Sequence, residues 1–402
     1  MTQSLIARLS PEIKQYLVIT GNYWSFTLTD GALRMLVVLY FHQLGYSPLA
    51  IASLFLFYEI FGVVTNLLGG WLGARLGLNK TMNIGLFLQI VAVSMLALDE
   101  QLLTIAYVMV AQALSGIAKD LNKMSAKSAI KLLVPKDQDS TLYKWVALLT
   151  GSKNALKGVG FFLGGLLLTL LGFQGALWFM AAMLSITWLS SLLLLKQDLG
   201  KKKNKPKFNE LFSKSRQLNL LAAARLFLFA SRDVWFVVAL PVFLASTFGW
   251  DHWWVGGFMA SWVIAYGIVQ ANAPKITAKQ GGHYQQALKW VVLLSFIPAL
   301  LALGLWVDWQ VKVVIIAGLL IFGAVFAVNS SLHSFLIVKI ADSDGVSMDV
   351  GFYYMANAMG RLLGTVLSGL VYQFYGLDAC LLISSAMLVL ASLFTYGLSK
   401  RD

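Results

Sequence analysis

Six lysines embedded in apolar sequence are the first sign of chemistry. Lys119, Lys123, Lys127 and Lys131 repeat every four residues in GlyIleAlaLysAspLeuAsnLysMetSerAlaLysSerAlaIleLys, after an apolar run that starts near Leu102. That spacing puts them on one slowly turning face of a helix. Lys153 and Lys157, again four apart, sit in GlySerLysAsnAlaLeuLysGly with long apolar segments on both sides. At the helical rise per residue, Lys153 lies roughly 16–18 Å into its run and Lys157 roughly 22–24 Å. A charge at bilayer depth is costly and points to function by default, so these lysines are read as lining a path for an anion. The bland alternative for Lys127 and Lys131 is a solvated helix end that attracts anionic lipid. For Lys153 and Lys157 it is an acidic partner or snorkelling to an interface, although no Asp or Glu lies in that segment.

Further charges extend the pattern. Asp30 and Arg34 are four apart on one helical face, a spacing at which they can pair with each other. Arg225 and Arg232 are seven apart, hence on one face, and Asp233 follows. An arginine offers a planar fork that binds phosphate or carboxylate bidentately. Arg361 stands one turn after Asn357 and two after Tyr353 and Tyr354, a polar lining for the same path. Glu59, beside Tyr58, is a counter-ion or a proton carrier, and Asp120 is placed to tether a neighbouring base. Among these candidates, eight basic groups (Arg34, Lys119, Lys123, Lys153, Lys157, Arg225, Arg232 and Arg361) face four acidic ones (Asp30, Glu59, Asp120 and Asp233). A carrier for cations is expected to show the reverse; this balance suits a polyanion.

Other chemistries find no support. His42, His252, His283 and His333 show no metal-ligand spacing, and His333 is expected to be a satisfied polar side chain. No phosphate-binding G-x-x-x-x-G-K-[ST] loop and no catalytic constellation occur. Neither enzyme activity, a metal nor a cofactor is expected.

The elements that must hold these residues are membrane helices. Of 402 residues 58% are hydrophobic and 12% charged, with mean hydropathy +0.74, whereas soluble domains carry about 25% charge. A bilayer core takes about 20 apolar residues per helix. Twelve spans are expected, at 16–41, 49–72, 80–98, 102–131, 141–171, 175–195, 218–247, 254–272, 286–306, 311–340, 350–375 and 378–398. The single cysteine, Cys380, excludes an internal disulfide. The start, with Arg8, Pro11 and Lys14, does not read as a cleaved signal peptide.

The net charge of +13 falls mostly in alternate loops, which speaks of topology rather than of nucleic acid. One side carries Arg75 and Lys80, Lys136 and Lys144, the run at 201–207 with Lys214 and Arg216, Lys275 and Lys279, and Lys400 and Arg401. The other carries Asp99 and Glu100, Asp251, Asp308 and Asp378, with Lys312 nearby. Both termini are therefore expected in the cytoplasm. Trp250, Trp253 and Trp254 read as an interfacial belt.

A basic linker, 196–217, separates two six-span halves, 1–195 and 218–402. Thr29 to Gly45 matches Ser231 to Gly249 weakly: each begins with an Asp near an Arg and ends at Gly. Two parallel repeats with a midplane site are a recurring transporter plan. Glycines 158, 160, 164 and 165 allow close helix packing in span five.

Gly70 to Lys80, GlyTrpLeuGlyAlaArgLeuGlyLeuAsnLys, resembles the loop signature of the major facilitator superfamily, G-x-x-x-D-R-x-G-x-[R/K]-[R/K]. Gly70, Arg75, Gly77 and Lys80 match and are candidates for the conformational loop; Ala74 stands where the signature has Asp. The blocks at 22–38, 115–128, 149–158 and 223–241 are similar to the organoarsenical efflux permeases of the ArsJ type. That resemblance implies export of an arseno-phosphoglycerate and hence arsenate resistance. A location in the bacterial inner membrane and action as a monomer are expected. Its supplier would be a cytosolic glyceraldehyde-3-phosphate dehydrogenase, coupled by function without direct contact. The alternatives are a sugar-phosphate/phosphate antiporter and, from another class, a receptor or flippase-like lipid protein.

Overall fold

Apolar runs interrupted at glycine, proline and short polar turns become helices, and where each stops has a local cause. The computed structural model describes residues 10–46, 54–135, 138–195, 199–201, 211–212, 215–250, 252–277, 282–308 and 310–399. Arg8, Lys136, most of the basic linker (202–210), Lys214, Asp251, Lys279, Lys400 and Arg401, all named above, lie outside the described residues.

The fold is all-α. The first helices are α1 (Pro11–Gln43), α2 (Leu56–Leu76), α3 (Leu78–Leu96) and α4 (Ile105–Leu133). A continuous run, Asp139–Leu194, is broken at Gly172 (φ 67°, ψ −179°) into α5 (139–171) and α6 (173–194). The later run Val346–Ser399 is broken in the same way at Gly376 (φ 83°, ψ −175°) into α11 (346–375) and α12 (377–399). Positive φ is open to glycine at no steric cost, so both reversals sit on the residue type that permits them. Between these lie α7 (Arg216–Phe236, continued as Ala239–Phe248), α8 (His252–Thr277), α9 (His283–Trp306) and α10 (Val311–Ile340). Among the described residues this makes twelve helical spans in place of the twelve apolar runs, and seven helical stretches satisfy length and apolarity criteria for crossing a membrane.

The interruption of α7 follows from Pro241. Its ring clashes with the carbonyl four residues back and it donates no N–H, so it fits best in a first turn, and the second segment restarts just ahead of it. The backbone N–H groups freed there, of Val238 and Ala239, donate to Ser368 Oγ at 3.3 and 3.1 Å. Thr104 caps α4, accepting from Tyr107 N at 3.3 Å, and Ser215 caps α7, accepting from Leu218 N at 3.4 Å. Such caps satisfy orphan donors of a first turn.

The chain forms two compact units. One comprises Met1–Trp145, Ser152–Phe212 and Ala341–Phe352; the other comprises Val146–Gly151, Ser213–Ile340 and Tyr353–Asp402. The first has a core that includes Leu36, Phe41, Leu96, Ala118, Phe173 and Leu177. The second is more aromatic: Trp235 meets Phe322 edge-on at 5.0 Å, and Trp262 stacks on Tyr266 at 5.7 Å.

Two charge clusters as the candidate functional site

In the first unit, Tyr58 of α2 is the hub. Its hydroxyl donates to Asp30 Oδ1 on α1 at 2.7 Å. Lys119 Nζ lies 3.7 Å from its ring centroid and the Arg34 guanidinium 5.0 Å from it. A cation over an aromatic face is attracted by the ring quadrupole. Gly116 lets α4 come this close, because a Cβ there would sit 2.7 Å from Tyr58 O. The Asp30–Arg34 pair that their spacing allows is not formed. Arg34 Nη2 reaches Glu59 Oε1 at 3.2 Å instead, since the neighbouring helix brings an acid nearer than the helical spacing does.

Asp120, on the same α4, has Lys123 Nζ at 2.5 Å and Lys119 Nζ at 3.8 Å. Lys153 and Lys157 are half-buried on α5 and, like Lys123, Arg34 and Glu59, take part in further interactions. Lys127 corrects the reading of a solvated helix end: it is 3% exposed, amid Met124, Ser125, Ala126, Ser128 and Ala129, which are buried too. The whole turn is covered, most of it by way of short side chains such as Ser125, Ala126, Ser128 and Ala129. Lys131 is half-buried.

The signature loop belongs to this unit. A Cβ on Gly70 would collide with Ser347 O, and Ser347 Oγ donates to Gly70 O at 2.7 Å. Arg75 stacks over Trp71 at 4.9 Å. Gly77, at φ 97°, ends α2 and begins α3. Lys80 is exposed and engaged.

The second unit is wired differently. Arg225 is 3% exposed. Its Nε donates to Asn357 Oδ1 at 2.8 Å, and its Nη1 to Ser330 O and Oγ at 3.2 and 3.1 Å. The guanidinium lies 4.0 Å from the Phe229 ring centroid and 5.4 Å from that of Tyr353, which is fully buried rather than lining an open path. Among the described residues, no carboxylate forms an ion pair with Arg225. Higher on the same face, Arg232 donates through Nε to Asp233 Oδ1 at 2.6 Å, and Arg361 Nε approaches Asp233 Oδ2 at 3.4 Å. Phe229, Phe326 and Phe236 surround the Arg232 guanidinium at 4.9, 5.5 and 5.8 Å.

His333, expected to be satisfied, is buried with neither ring nitrogen hydrogen-bonded among the described residues. Ser330 and Gln270, whose Nε2 donates to Ser330 Oγ at 3.2 Å, are parts of the site that the charge pattern alone did not single out. A signal was present: AsnSerSerLeuHisSer, 329–334, is a polar run inside the apolar stretch of α10.

The two units share a helix-crossing register. A Cβ on Gly160 of α5 would lie 2.6 Å from Leu28 O, and one on Gly164 would collide with Ala32 O. In the second unit a Cβ on Gly360 of α11 would collide with Leu226 O, and one on Gly364 would lie 2.7 Å from Ala230 O. Leu28 and Leu226, Ala32 and Ala230, and Arg34 and Arg232 are all 198 positions apart, and Gly160 and Gly360 are 200 apart, as are Lys157 and Asn357. The repeat is therefore one turn out of step with the weak match at Thr29 and Ser231. The arginines coincide, while the acids do not: Asp30 corresponds to Leu228, and Asp233 to Met35.

A family model described as Major Facilitator Superfamily matches residues 19–347. No curated protein matches the chain in sequence. Solved structures do match in fold. The human organic anion transporter MFSD10 (TETRAN) is similar with TM-score 0.76 at 17% identity, over 96% of this chain and 100% of that one. A bacterial homologue of the iron transporter ferroportin, in an outward-facing state, gives 0.76 at 14% identity, over 98% and 100%. The E. coli fucose:proton symporter FucP gives 0.73 at 10% identity, over 97% and 99%.

Proposed function

The chain belongs to the major facilitator superfamily and is a multi-pass membrane transporter, and from that premise we propose that it exports an anionic organoarsenical phosphate ester, an arseno-phosphoglycerate, from the cytosol. The fold does not choose the sign of the cargo: one structural neighbour is named for organic anions and another for iron. The side chains favour an anion. The observation that carries this reading is Arg225, a buried guanidinium that, among the described residues, is held by neutral oxygens and aromatic faces and by no carboxylate. A buried cation without a counter-ion is expensive to fold, and an anionic cargo is what it would gain by remaining so. Arg232 and Arg361 both pair with the Asp233 carboxylate.

The arsenical identity rests on the sequence blocks at 22–38, 115–128, 149–158 and 223–241. With it come the bacterial inner membrane and supply of the cargo by glyceraldehyde-3-phosphate dehydrogenase working with arsenate in place of phosphate; cytoplasmic termini follow from the basic loops, and the carrier acts as a monomer. The second reading, exchange of a sugar phosphate for phosphate, uses the same basic side chains.

Inside-out vesicles separate the two. Saturable uptake of labelled arseno-phosphoglycerate, weakly competed by sugar phosphates, is the expected result. Sugar-phosphate uptake that requires phosphate on the other side selects the second reading. Failure to move any soluble anion overturns both and turns attention to a receptor or lipid protein.

A further inference from the structure

Each unit contains one nearly buried carboxylate backed against two cations that are more open than it is. Asp120 has Lys119 and Lys123 as ion-pair partners; the lysine side chains are 14% and 13% exposed and the carboxylate side chain 2%. Asp233 has Arg232 and Arg361; those side chains are 16% and 28% exposed and the carboxylate 1%. Small residues on adjoining helices make the room. A Cβ on Gly62 of α2 would sit 3.0 Å from Asp120 Oδ2, and one on Gly364 of α11 would sit 2.8 Å from Asp233 Cβ. Among the described residues, no backbone N–H or neutral side chain donates to either carboxylate. Among those residues, their holders are the cations in front of them.

We propose that Asp120 and Asp233 are backing counter-ions that weaken each unit's grip on an oxyanion of the phosphate or carboxylate type. The inference rests on the reading of this protein as an anion exporter. A carrier must release what it binds. Two unopposed cations at low effective dielectric would hold a polyanion tightly, and tight uniform binding does not speed turnover. A fixed carboxylate behind the pair takes part of that attraction permanently. It leaves the open side of the cations for cargo and keeps the bare pair from trapping ordinary anions. Asp120 and Asp233 are positioning residues here, since they act through the cations rather than on the cargo. The two units reach this arrangement from non-equivalent positions: Asp120 lies on α4 and Asp233 on α7.

The test uses the full-length carrier in nanodiscs, with 3-phosphoglycerate and inorganic phosphate as probes, and compares wild type with Asp120→Asn and Asp233→Asn. Each variant is expected to bind 3-phosphoglycerate about tenfold more tightly or better, the low end of coupling measured for close charge pairs. In vesicles, KM and kcat for export should fall together, and Asp→Glu at either site should restore both. A merely structural ion pair predicts lower thermal stability with no gain in affinity. That outcome, in protein that remains monodisperse, overturns the proposal while leaving anion export standing if wild type binds the probes. Absence of anion binding by all three proteins overturns both.

Discussion

Arg34 and Arg232 occupy the same point of two equivalent helix crossings. Both follow by two residues the carbonyl that a glycine of the crossing helix meets, Ala32 O with Gly164 and Ala230 O with Gly364. Each guanidinium then finds an acid and aromatic faces: Glu59 with Phe55 and Tyr58 for Arg34, and Asp233 with Phe229 for Arg232. Replacing either arginine with Lys keeps the charge and loses the planar fork. Export by Arg34→Lys and by Arg232→Lys should fall by at least about tenfold, the scale of a lost charge-assisted hydrogen bond. Wild-type export from both would show that only the bulk potential matters at these positions.

Arg225→Met separates function from folding. Exchanging a buried charge for an apolar side chain of similar length is often neutral or stabilising. Thermal melting of the purified variant should therefore match or exceed wild type, while export is lost. A folded variant that still transports would remove Arg225 from the site.

Lys153→Ala and Lys157→Ala should abolish arsenate resistance in cells while membrane abundance stays near wild type, because both side chains are half-buried and contribute little packing. Loss of the protein itself, seen by immunoblot, would make their role structural.

The crossing of α1 and α5 can be tested without touching a charge. In Gly160→Ala the new Cβ would stand 2.6 Å from Leu28 O, and a backbone carbonyl cannot step aside as a side chain can. A cost of about 1–3 kcal/mol is expected for such overpacking, together with reduced export as Arg34 and Lys157 shift. Gly21→Ala on α1 meets nothing within 4 Å and should be neutral or stabilise by up to about 1 kcal/mol, the helix propensity gained over glycine. Equal melting temperatures for the two variants would contradict the crossing.

The energetics of export make a separate claim. An arsenate–phosphate diester of glycerate carries at least about three negative charges at neutral pH, since each of its two phosphate-like groups, with a second pKa near 6, holds about 1.5 to 2. Moving one charge across 100 mV is worth about 2.3 kcal/mol, so a trianion leaving a negative interior gains roughly 7 kcal/mol per 100 mV. Export can run as uniport. In inside-out vesicles a lumen-positive potential with no pH difference should raise uptake. Uptake that ignores the potential and follows an opposing proton gradient would defeat uniport and make Glu59 and Asp30 the residues to mutate.

The helices, their number and the charges they carry were legible in the sequence, because apolar run length and the cost of a buried ion are properties of a segment by itself. So was the reversal at Gly172 within the expected gap between spans five and six. The partners of those charges were not legible. Asp30 and Arg34 have the spacing of a helical ion pair, yet Tyr58 and Glu59 on α2 take them. Lys127 has the spacing of a solvated face, yet short neighbours let other helices bury it. His333 has the look of a satisfied side chain, yet it has no hydrogen bond among the described residues. For Asp30 the decision belongs to a helix crossing set where a glycine meets a carbonyl, Gly116 at Tyr58 O; for Lys127 and His333 it belongs to what packs around them, and each depends on distant segments at once. Sequence spacing determines which residues can pair along one helix; only the packing of several determines which do.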